Sequence, residues 1–247
     1  MRLHDFRVLT FDCYGTLIDW ESGIFSALVP LQAKLPEPPA RDAVLEAFAR
    51  HESAQEAETP AMRYPELLAK VHRRLATEWG IAADEELEKR FGASVPDWPA
   101  FSDSPDALAA LKKHFQLVIL SNVDRKSFAG SNRRLGVVFD AVFTAEDIGA
   151  YKPDPANFRY LLERLAERGV KKSEILHTAQ SLFHDHVPAK RAGLATAWID
   201  RRHGAAGFGA TMPPPEDARY DFRLPSLAAM LEAYREEERS PVPYGAG

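Results

Sequence analysis

Five short apolar segments are spaced along the chain, and the stretches between them have the periodicity of helices. The segments lie at 8–11, 117–120, 142–143, 174–179 and 196–199. Short apolar runs bounded by turn residues are typical of buried strands in a parallel sheet. Strands that alternate with helices build a sheet with right-handed crossovers and helices on both faces. The pattern therefore predicts an α/β protein with a doubly wound, Rossmann-like parallel sheet.

Residues 21 to 98 interrupt this alternation, because they show helical periodicity and almost no strand signal. Leu67, Leu68, Val71 and Leu75, for example, share one face of a helix. We expect an all-helical insertion at 20–98 in a core formed by 1–19 and 99–235. The charged and then Pro- and Gly-rich residues 236–247 predict a frayed C-terminal tail.

The composition excludes several classes of protein. Of the 247 residues, 45% are hydrophobic and 27% are charged, which is ordinary for a globular protein. The net charge of −5 argues against nucleic-acid or acidic-membrane partners, because both require basic patches. The single cysteine, Cys13, excludes an internal disulfide and fits a reducing compartment. Since the chain also has no apolar run long enough to span a bilayer and no signal-like segment, we expect a cytoplasmic protein.

Polar residues stand at or just after the ends of four predicted strands. In a doubly wound sheet the ligand crevice lies beyond the carboxyl ends of the strands, so these side chains are expected to meet there. A carboxylate in such a crevice can act as a covalent nucleophile, and a neighbouring lysine would keep it ionised. Taken singly, each residue also fits a turn, a helix cap or the surface. These strand-end residues are Asp12, Ser121, Asn122, Lys152, Gln180, Ser181 and Asp185.

The segment 8–17, Val-Leu-Thr-Phe-Asp-Cys-Tyr-Gly-Thr-Leu, resembles the first motif of the haloacid dehalogenase superfamily. The other three strand ends match the remaining motifs in order. Tyr14 makes the chain more similar to the 2-haloacid dehalogenases, because the superfamily's phosphatases carry a second Asp at that position. The resemblance implies that the helical insertion is a cap that closes over the core as a lid. A homodimer formed through this cap is a further expectation.

The resemblance implies a hydrolase that displaces halide from a small 2-haloalkanoic acid through an ester on Asp12, without a metal or other cofactor. Lys152 would keep Asp12 ionised, Thr16 would brace the loop, and Asp185 would assist the hydrolytic water. The expected contacts with this small anionic substrate are Cys13, Tyr14, Ser121, Asn122, Gln180, Ser181, His184 and Arg50.

Two histidines flank the last of these acids. His184 and His186 lie on either side of Asp185, but adjacent side chains rarely converge on one metal ion. We expect one histidine to touch the pocket or support Asp185, where it could assist the water that cleaves the ester. The other is expected to be an ordinary residue at a helix start.

Some positions depart from the pattern of the 2-haloacid dehalogenases. Phe158 stands where they carry a Tyr in the site, and its position on an apolar helix face favours core packing. Gln180 and Leu182 replace a Ser and an Asn. The cap arginine that orients substrate in that family has Arg50 as its nearest candidate here, and Arg63 is another.

Two alternatives remain open. One is a Mg²⁺-dependent phosphatase, although Tyr14 and Gln180 replace the acids that a phosphatase uses as proton donor and metal ligand. Halide leaves as a stable anion and needs no acid, so these replacements favour metal-free attack at carbon. The second alternative is a non-catalytic homologue that keeps the fold and binds a small carboxylate.

Overall fold

A six-stranded parallel sheet forms the centre of the protein, which is described here by a computed structural model of residues 1–239. The order across the sheet is β3-β2-β1-β4-β5-β6, so β1 lies between β2 and β4. Chain connections therefore leave β1 in opposite directions, and the crevice at this switch point is where a ligand binds in such folds. The strands are β1 (Val8–Phe11), β2 (Gln116–Ser121), β3 (Ala141–Thr144), β4 (Ile175–Ala179), β5 (Ala195–Ile199) and β6 (Phe222–Leu224).

Ten α-helices accompany the sheet in the described part of the chain. They are α1 (Trp20–Gln32), α2 (Arg41–Glu58), α3 (Tyr64–Glu78), α4 (Glu85–Gly92), α5 (Ser104–Leu111), α6 (Arg125–Leu135), α7 (Ala145–Ile148), α8 (Ala156–Ala166), α9 (Val187–Arg191) and α10 (Leu227–Arg239).

Apolar side chains cover both faces of the sheet. Leu9 and Phe11 of β1 belong to one buried cluster, which includes residues of α5 and α10. Val8 belongs to a second cluster with Phe158 and Leu161 of α8. Successive residues of a strand point to opposite faces, so β1 contributes to a core on each side. The predicted doubly wound parallel α/β fold is confirmed.

Helices α1 to α4 lie between β1 and β2 in sequence and occupy the range in which an all-helical insertion is predicted. The chain leaves the core and returns to it along two neighbouring segments, 17–19 and 99–101. The Asp19 N–H donates to the Pro99 carbonyl at 2.8 Å, and the Phe101 N–H donates to the Leu17 carbonyl at 3.1 Å. The inserted helices are thus connected to the core through two strands of backbone that are hydrogen-bonded to each other.

The C-terminal part differs from the sequence expectations. The sequence patterns predict neither β6 nor α10. Strand β6 gives little signal, because it has three residues and pairs with β5 at the sheet edge. In α10, Leu227, Met230, Leu231 and Tyr234 are buried at helical spacing. Residues 236–239, expected to begin a frayed tail, continue this helix, and the rest of that expectation lies outside the described residues.

Within residues 1–239, no helix combines the length and the apolar character needed to cross a membrane.

Candidate active site

Asp12 lies one residue beyond β1, at the switch point, and its carboxylate is held in a fixed orientation. The Asp12 N–H extends the pairing with β4 by donating to the Thr178 carbonyl at 3.1 Å. The chain then turns at Gly15, whose φ of +89° suits glycine and whose added Cβ would lie 2.9 Å from Trp20 Nε1. This turn brings Thr16 back, so that its hydroxyl donates to Asp12 Oδ2 at 2.7 Å.

Thr16 is itself held by the neighbouring strand ends. Its hydroxyl accepts the Gln180 N–H at 2.9 Å, and its carbonyl accepts two hydrogen bonds from the Arg201 guanidinium. The expected bracing role of Thr16 therefore has a specific geometry, in which one hydroxyl links the loops after β1 and β4.

Lys152 is buried, with 1% of its surface exposed, and its ammonium group lies between two carboxylates. Nζ donates to Asp12 Oδ1 at 2.9 Å, to Asp185 Oδ1 at 2.7 Å and to the Leu120 carbonyl at 3.1 Å. These three bonds use every N–H of the ammonium group. The Asn122 side chain fixes the Lys152 backbone, since its Oδ1 accepts the N–H at 2.6 Å and its Nδ2 donates to the carbonyl at 3.0 Å.

The buried charges in this cluster shift one another's pKa values. Burial opposes the charge of Lys152, but Asp12 and Asp185 raise its pKa above the ordinary value, so it stays protonated. Burial, reinforced by the negative charge of Asp185, raises the pKa of Asp12 against the lowering effects of Lys152 and Thr16. Burial also opposes ionisation of Asp185, yet Lys152 and His177 lower its pKa well below the ordinary value.

Asp185 lies in a single π-helical turn, Leu182–His186, that follows β4. Such turns are rare and occur frequently at functional sites. Oδ1 of Asp185 contacts both Lys152 and, at 2.9 Å, Nε2 of His177. Oδ2 is buried and has no hydrogen-bond partner among the described residues. This oxygen is therefore free to bind water or substrate.

His184 and His186 have different environments. His184 lines the cavity beside Asp12, with its Nδ1 3.2 Å from the Ser181 hydroxyl and its buried Nε2 without a partner within residues 1–239. Nε2 of His186 donates to the Ala179 carbonyl at 3.0 Å. Burial lowers the pKa of each histidine to about 4, so both are neutral at neutral pH.

A small cavity separates the strand ends from the inserted helices. Its volume is about 30 Å³, space for one or two water molecules. The core contributes Asp12, Tyr14, Asn122, Val123, Lys152, Ser181, His184 and Asp185, and the inserted helices contribute Trp20, Glu52, Glu56 and Tyr64.

Glu52 and Glu56 line the cavity but are not among the expected site residues. Tyr64 donates its hydroxyl hydrogen to Glu52 Oε1 at 2.5 Å, and Asn122 donates to Glu56 Oε1 at 3.2 Å. Burial raises the pKa of Glu52 to about 8. Burial, reinforced by Glu52, raises the pKa of Glu56 well above its usual range.

The structure brings most of the expected site residues together. Tyr14, Asn122, Ser181 and His184 line the cavity with the three charged residues. Ser121 ends β2 next to Asn122, and its buried hydroxyl has no hydrogen-bond partner within the described chain. The alternative that Ser121 and Asn122 cap the next helix is wrong, because the Asp124 side chain caps α6.

Cys13 and Gln180, two of the expected substrate contacts, do not line the cavity. The Cys13 side chain is fully buried and is not part of the cavity lining. The Gln180 side chain points to a separate cavity, where its Oε1 lies 3.4 Å from the Thr211 hydroxyl, and only its backbone supports the site. Burial raises the pKa of the Cys13 thiol, so it is not a thiolate.

Arg50 does not face the nucleophile. Its side chain is 57% exposed and pairs with Glu78 at 3.0 Å. Two residues of α-helix correspond to a rotation of about 200°, so Arg50 and Glu52 lie on opposite sides of α2. Arg63 is also about half exposed and lies 3.5 Å from Glu146. The described part of the insertion thus presents carboxyls, and no arginine, to the cavity.

The sequence reasoning missed the residues that support Asp185. Thr10 and His177 are partners in the pairing of β1 with β4, and Thr10 Oγ1 lies 2.8 Å from His177 Nδ1. Both lie inside segments predicted as apolar strands. The sign of a functional role in the sequence was a polar residue at an otherwise apolar position. Phe158 packs against the His177 ring, with ring centroids 4.9 Å apart, so its expected role in core packing is confirmed.

No set of three or more His, Cys, Asp or Glu side chains is arranged to hold a metal ion in the part of the chain that the structure describes.

Known proteins share both the sequence pattern and the fold. A (S)-2-haloacid dehalogenase from Pseudomonas putida is 26% identical over 208 residues, which is 80% of this chain and 86% of that protein. Two solved structures share the fold with a TM-score of 0.73 each. The L-2-haloacid dehalogenase of Xanthobacter autotrophicus is 20% identical (93% of this chain, 98% of that one), and a Bacillus subtilis HAD-hydrolase bound to magnesium is 21% identical (95% and 100%).

A family model decides the assignment, because it matches well over half of the chain, including the first strand and the inserted helices. The model of haloacid dehalogenase-like hydrolases matches residues 6–179, from the segment before β1 to the last residue of β4. The chain belongs to the haloacid dehalogenase-like hydrolases.

Proposed function

We propose that the protein hydrolyses the carbon–halogen bond of a small 2-haloalkanoic acid through an ester on Asp12, without a metal ion. The observation that carries this proposal is the triad of Asp12, Lys152 and Asp185, in which one buried ammonium group bridges two carboxylates at 2.9 and 2.7 Å. A carboxylate kept ionised and oriented in a cavity closed to bulk water is suited to attack at carbon.

In the first step, a carboxylate oxygen of Asp12 forms a bond to C2 of the substrate while the bond from C2 to the halogen breaks. The halogen leaves with the electron pair as halide, and the configuration at C2 inverts. No proton is needed by this leaving group, which agrees with Tyr14 in place of an acid beside the nucleophile. The Tyr14 hydroxyl is 2.9 Å from Ser131 Oγ and burial raises its pKa, so it stays neutral.

In the second step, water attacks the carbonyl carbon of the Asp12 ester, and the bond from that carbon to the alkoxy oxygen breaks. The products are a 2-hydroxy acid and the restored carboxylate of Asp12, with one proton released. Asp185 Oδ2 and His184 Nε2 are the two buried, unpartnered polar atoms among the charged or imidazole side chains that line the cavity. They support a water site beside the ester.

The names of similar proteins support the substrate class. Besides the Pseudomonas putida relative, the dehalogenase of Xanthobacter autotrophicus has a structure with chloropropionic acid covalently bound. A covalent intermediate in a protein of the same fold fits the role proposed for Asp12.

The alternative of a Mg²⁺-dependent phosphatase is less well supported by the donor set. A divalent ion would draw on the carboxylate oxygens of Asp12 and Asp185, and one oxygen of each is already paired with Lys152. Gln180 offers an amide in place of a carboxylate, and its side chain faces another cavity. Mg²⁺ prefers charged oxygen ligands, so these residues favour chemistry in which Lys152 supplies the positive charge.

The test is halide release from 2-chloropropionate and from haloacetates, with and without EDTA. We expect turnover that EDTA leaves unchanged and that Asp12→Asn abolishes in freshly prepared enzyme. Phosphoester hydrolysis that requires Mg²⁺ would support the phosphatase. No turnover of halo acids or phosphoesters, together with binding of a small carboxylate, would support the non-catalytic homologue.

A further inference from the structure

Two carboxyl side chains of α2 face the nucleophile across the cavity. Glu52 and Glu56 are four residues apart, so they lie one above the other on the same face of the helix. Both line the cavity that Asp12 also lines, and their exposed fractions are 4% and 7%. The lid therefore places two buried acids opposite the reacting group.

Each acid receives one hydrogen bond, and in each case on Oε1. Tyr64 donates to Glu52 Oε1 and Asn122 donates to Glu56 Oε1. An oxygen that accepts these donors does not carry the acid proton. In a neutral carboxyl the proton is therefore on Oε2, where it can be donated to a third group.

No cation among the described residues is paired directly with these acids, and the charge of Lys152 only partly offsets the rise in the pKa of Glu56. Neither Glu52 nor Glu56 forms a salt bridge with a described residue. The ammonium group of Lys152 has all three of its N–H groups bound elsewhere. Two adjacent carboxylates buried without a cation are strongly disfavoured, so protonation is the lower-energy state.

An independent observation indicates that this cavity binds a polar ligand. His184 lines the same cavity and is 9% exposed. Its Nε2 is buried and has no hydrogen-bond partner within residues 1–239. Asp185 Oδ2 is in the same situation. Buried polar atoms without partners are rare in folded proteins and are commonly satisfied by water or ligand.

We propose that Glu52 and Glu56 recognise the substrate as neutral acids, by donating O–H hydrogen bonds to the carboxylate of the 2-halo acid. This inference rests on the function proposed above and assigns its substrate anchor. A hydrogen bond from a neutral acid to a carboxylate is charge-assisted and short, and therefore strong without a formal positive charge. The pair would take the place of the cap arginine for which Arg50 was the candidate.

Recognition of this kind depends on pH in a defined direction. The pKa of Glu52, raised to about 8, sets the limit. Below that pH Glu52 is neutral and donates, and burial raises the pKa of Glu56 in the same direction. Above it Glu52 ionises, loses its donor and repels an anionic substrate, so KM for a halo acid should rise by up to tenfold per pH unit. The titratable or charged groups around the pair are Asp12, Tyr64, Tyr151, Lys152, His184 and Asp185.

The experiment compares wild type with Glu52→Gln and Glu56→Gln between pH 6 and 9.5. Halide release is measured from 2-chloropropionate and from the neutral 2-chloropropionamide. Glu58→Gln is the control, because Glu58 is on the same helix, about half exposed, and pairs with Arg74. Wild type and control should show the rise in KM for the halo acid above pH 8 and no rise for the amide.

Glutamine cannot ionise and keeps an N–H donor, so Glu52→Gln should remove the rise in KM above pH 8. The inference is overturned if the KM of Glu52→Gln rises in parallel with wild type. It is also overturned if Glu52→Gln binds 2-chloropropionate tenfold more tightly than wild type at pH 7, because that gain would mean that the acids are ionised and repel the substrate.

Two further readouts separate this inference from the proposed function. Titration of ¹³Cδ-labelled glutamate by NMR reports the ionisation of Glu52 in wild type, whatever the variants do to folding. Calorimetry with propionate, which has no halogen, reports carboxylate binding. If wild type releases no halide, the proposed function fails. The acid pair is still supported in that case if propionate affinity falls above pH 8 in wild type but not in Glu52→Gln. Flat propionate affinity in wild type overturns the pair.

Discussion

The two ends of the cavity hold the same kind of side chain in opposite states. At the core end, Asp12 and Asp185 share the ammonium group of Lys152. At the lid end, Glu52 and Glu56 are equally buried but receive hydrogen bonds only from a phenol and an amide. The pKa of Asp185 is lowered, whereas those of the two glutamates are raised.

This difference shows that burial alone does not decide the charge of a carboxyl. Desolvation acts on all four groups in the same direction, and Lys152 together with His177 reverses its effect at Asp185, whereas the pKa of Asp12 stays above its ordinary value. The core end therefore supplies a charged nucleophile, and the lid end supplies proton donors. Single substitutions at either end of the cavity test that division of roles.

Removing the ammonium group of Lys152 should abolish the difference between the core end and the lid end of the cavity. Lys152→Met leaves Asp12 and Asp185 as two buried acids without a partner, so one of them should become protonated. We expect halide release to fall by roughly 10³-fold and the free energy of unfolding, from urea denaturation, to fall by about 3–5 kcal/mol.

The control for that variant is Lys190→Met, which breaks a partly exposed pair with Asp221 and should cost far less stability. Wild-type turnover in Lys152→Met would show that Asp12 does not depend on the ammonium group.

Replacing Asp185 should separate the two chemical steps. Asp185→Asn keeps the nucleophile but weakens the water site, so turnover should fall by about 10²-fold or more. One equivalent of halide should still be released rapidly, and mass spectrometry should detect the protein alkylated on Asp12 as its ester. If no covalent adduct forms and the first equivalent of halide is not released, Asp185 acts in the displacement step instead.

The acid limb of the pH profile reports the nucleophile. Because the pKa of Asp12 is raised above its ordinary value of 3.8, kcat/KM should fall as the pH drops through a midpoint above that value, by tenfold per pH unit at the limit. The pKa of Lys152 is raised too, so it should cause no alkaline loss below pH 10. A midpoint below 3.8 in steady-state halide release would contradict the assignment.

Loss of the hydrogen bond at the lid end should have a modest effect. The Tyr64 hydroxyl bond opposes the rise in the pKa of Glu52, so Tyr64→Phe should move that pKa above 8. NMR titration of Glu52 measures the shift. The lost bond should lower the free energy of unfolding by about 0.5–1.5 kcal/mol. An unchanged or lowered pKa would show that Tyr64 does not donate to the carboxyl.

The smallest effect is expected at Arg50. Its exposed guanidinium pairs with Glu78 and points away from the cavity, so Arg50→Ala should change the KM for 2-chloropropionate by less than about twofold. A tenfold increase in KM would show that Arg50 reaches the substrate, and the carboxyl pair would then not be the anchor.

The core half of the site could be predicted from sequence, because strand ends are fixed by the fold. Once β1, β2 and β4 are recognised as parallel neighbours, Asp12, Asn122 and Asp185 must meet at one edge. Lys152 follows β3 after a short helix, and the matching motif placed it correctly.

The lid half could not be predicted in the same way. Which face of α2 meets the core depends on the packing of four helices, and the periodicity of α2 is weak because several of its buried residues are polar. Arg50 is the nearest candidate for the family's cap arginine, whereas the buried positions of α2 include Glu52 and Glu56. His177 was missed for a related reason, because polar residues within a strand are concealed when the segment is classified by its apolar neighbours.

The paired backbone segments that connect the lid to the core have a kinetic consequence. A chamber with space for one or two water molecules cannot exchange substrate and product while it stays shut. We therefore propose that each catalytic cycle includes a movement of the helical insertion about the double crossing at 17–19 and 99–101. Changes at that hinge would alter how often the enzyme opens, and would leave the reactivity of the nucleophile untouched.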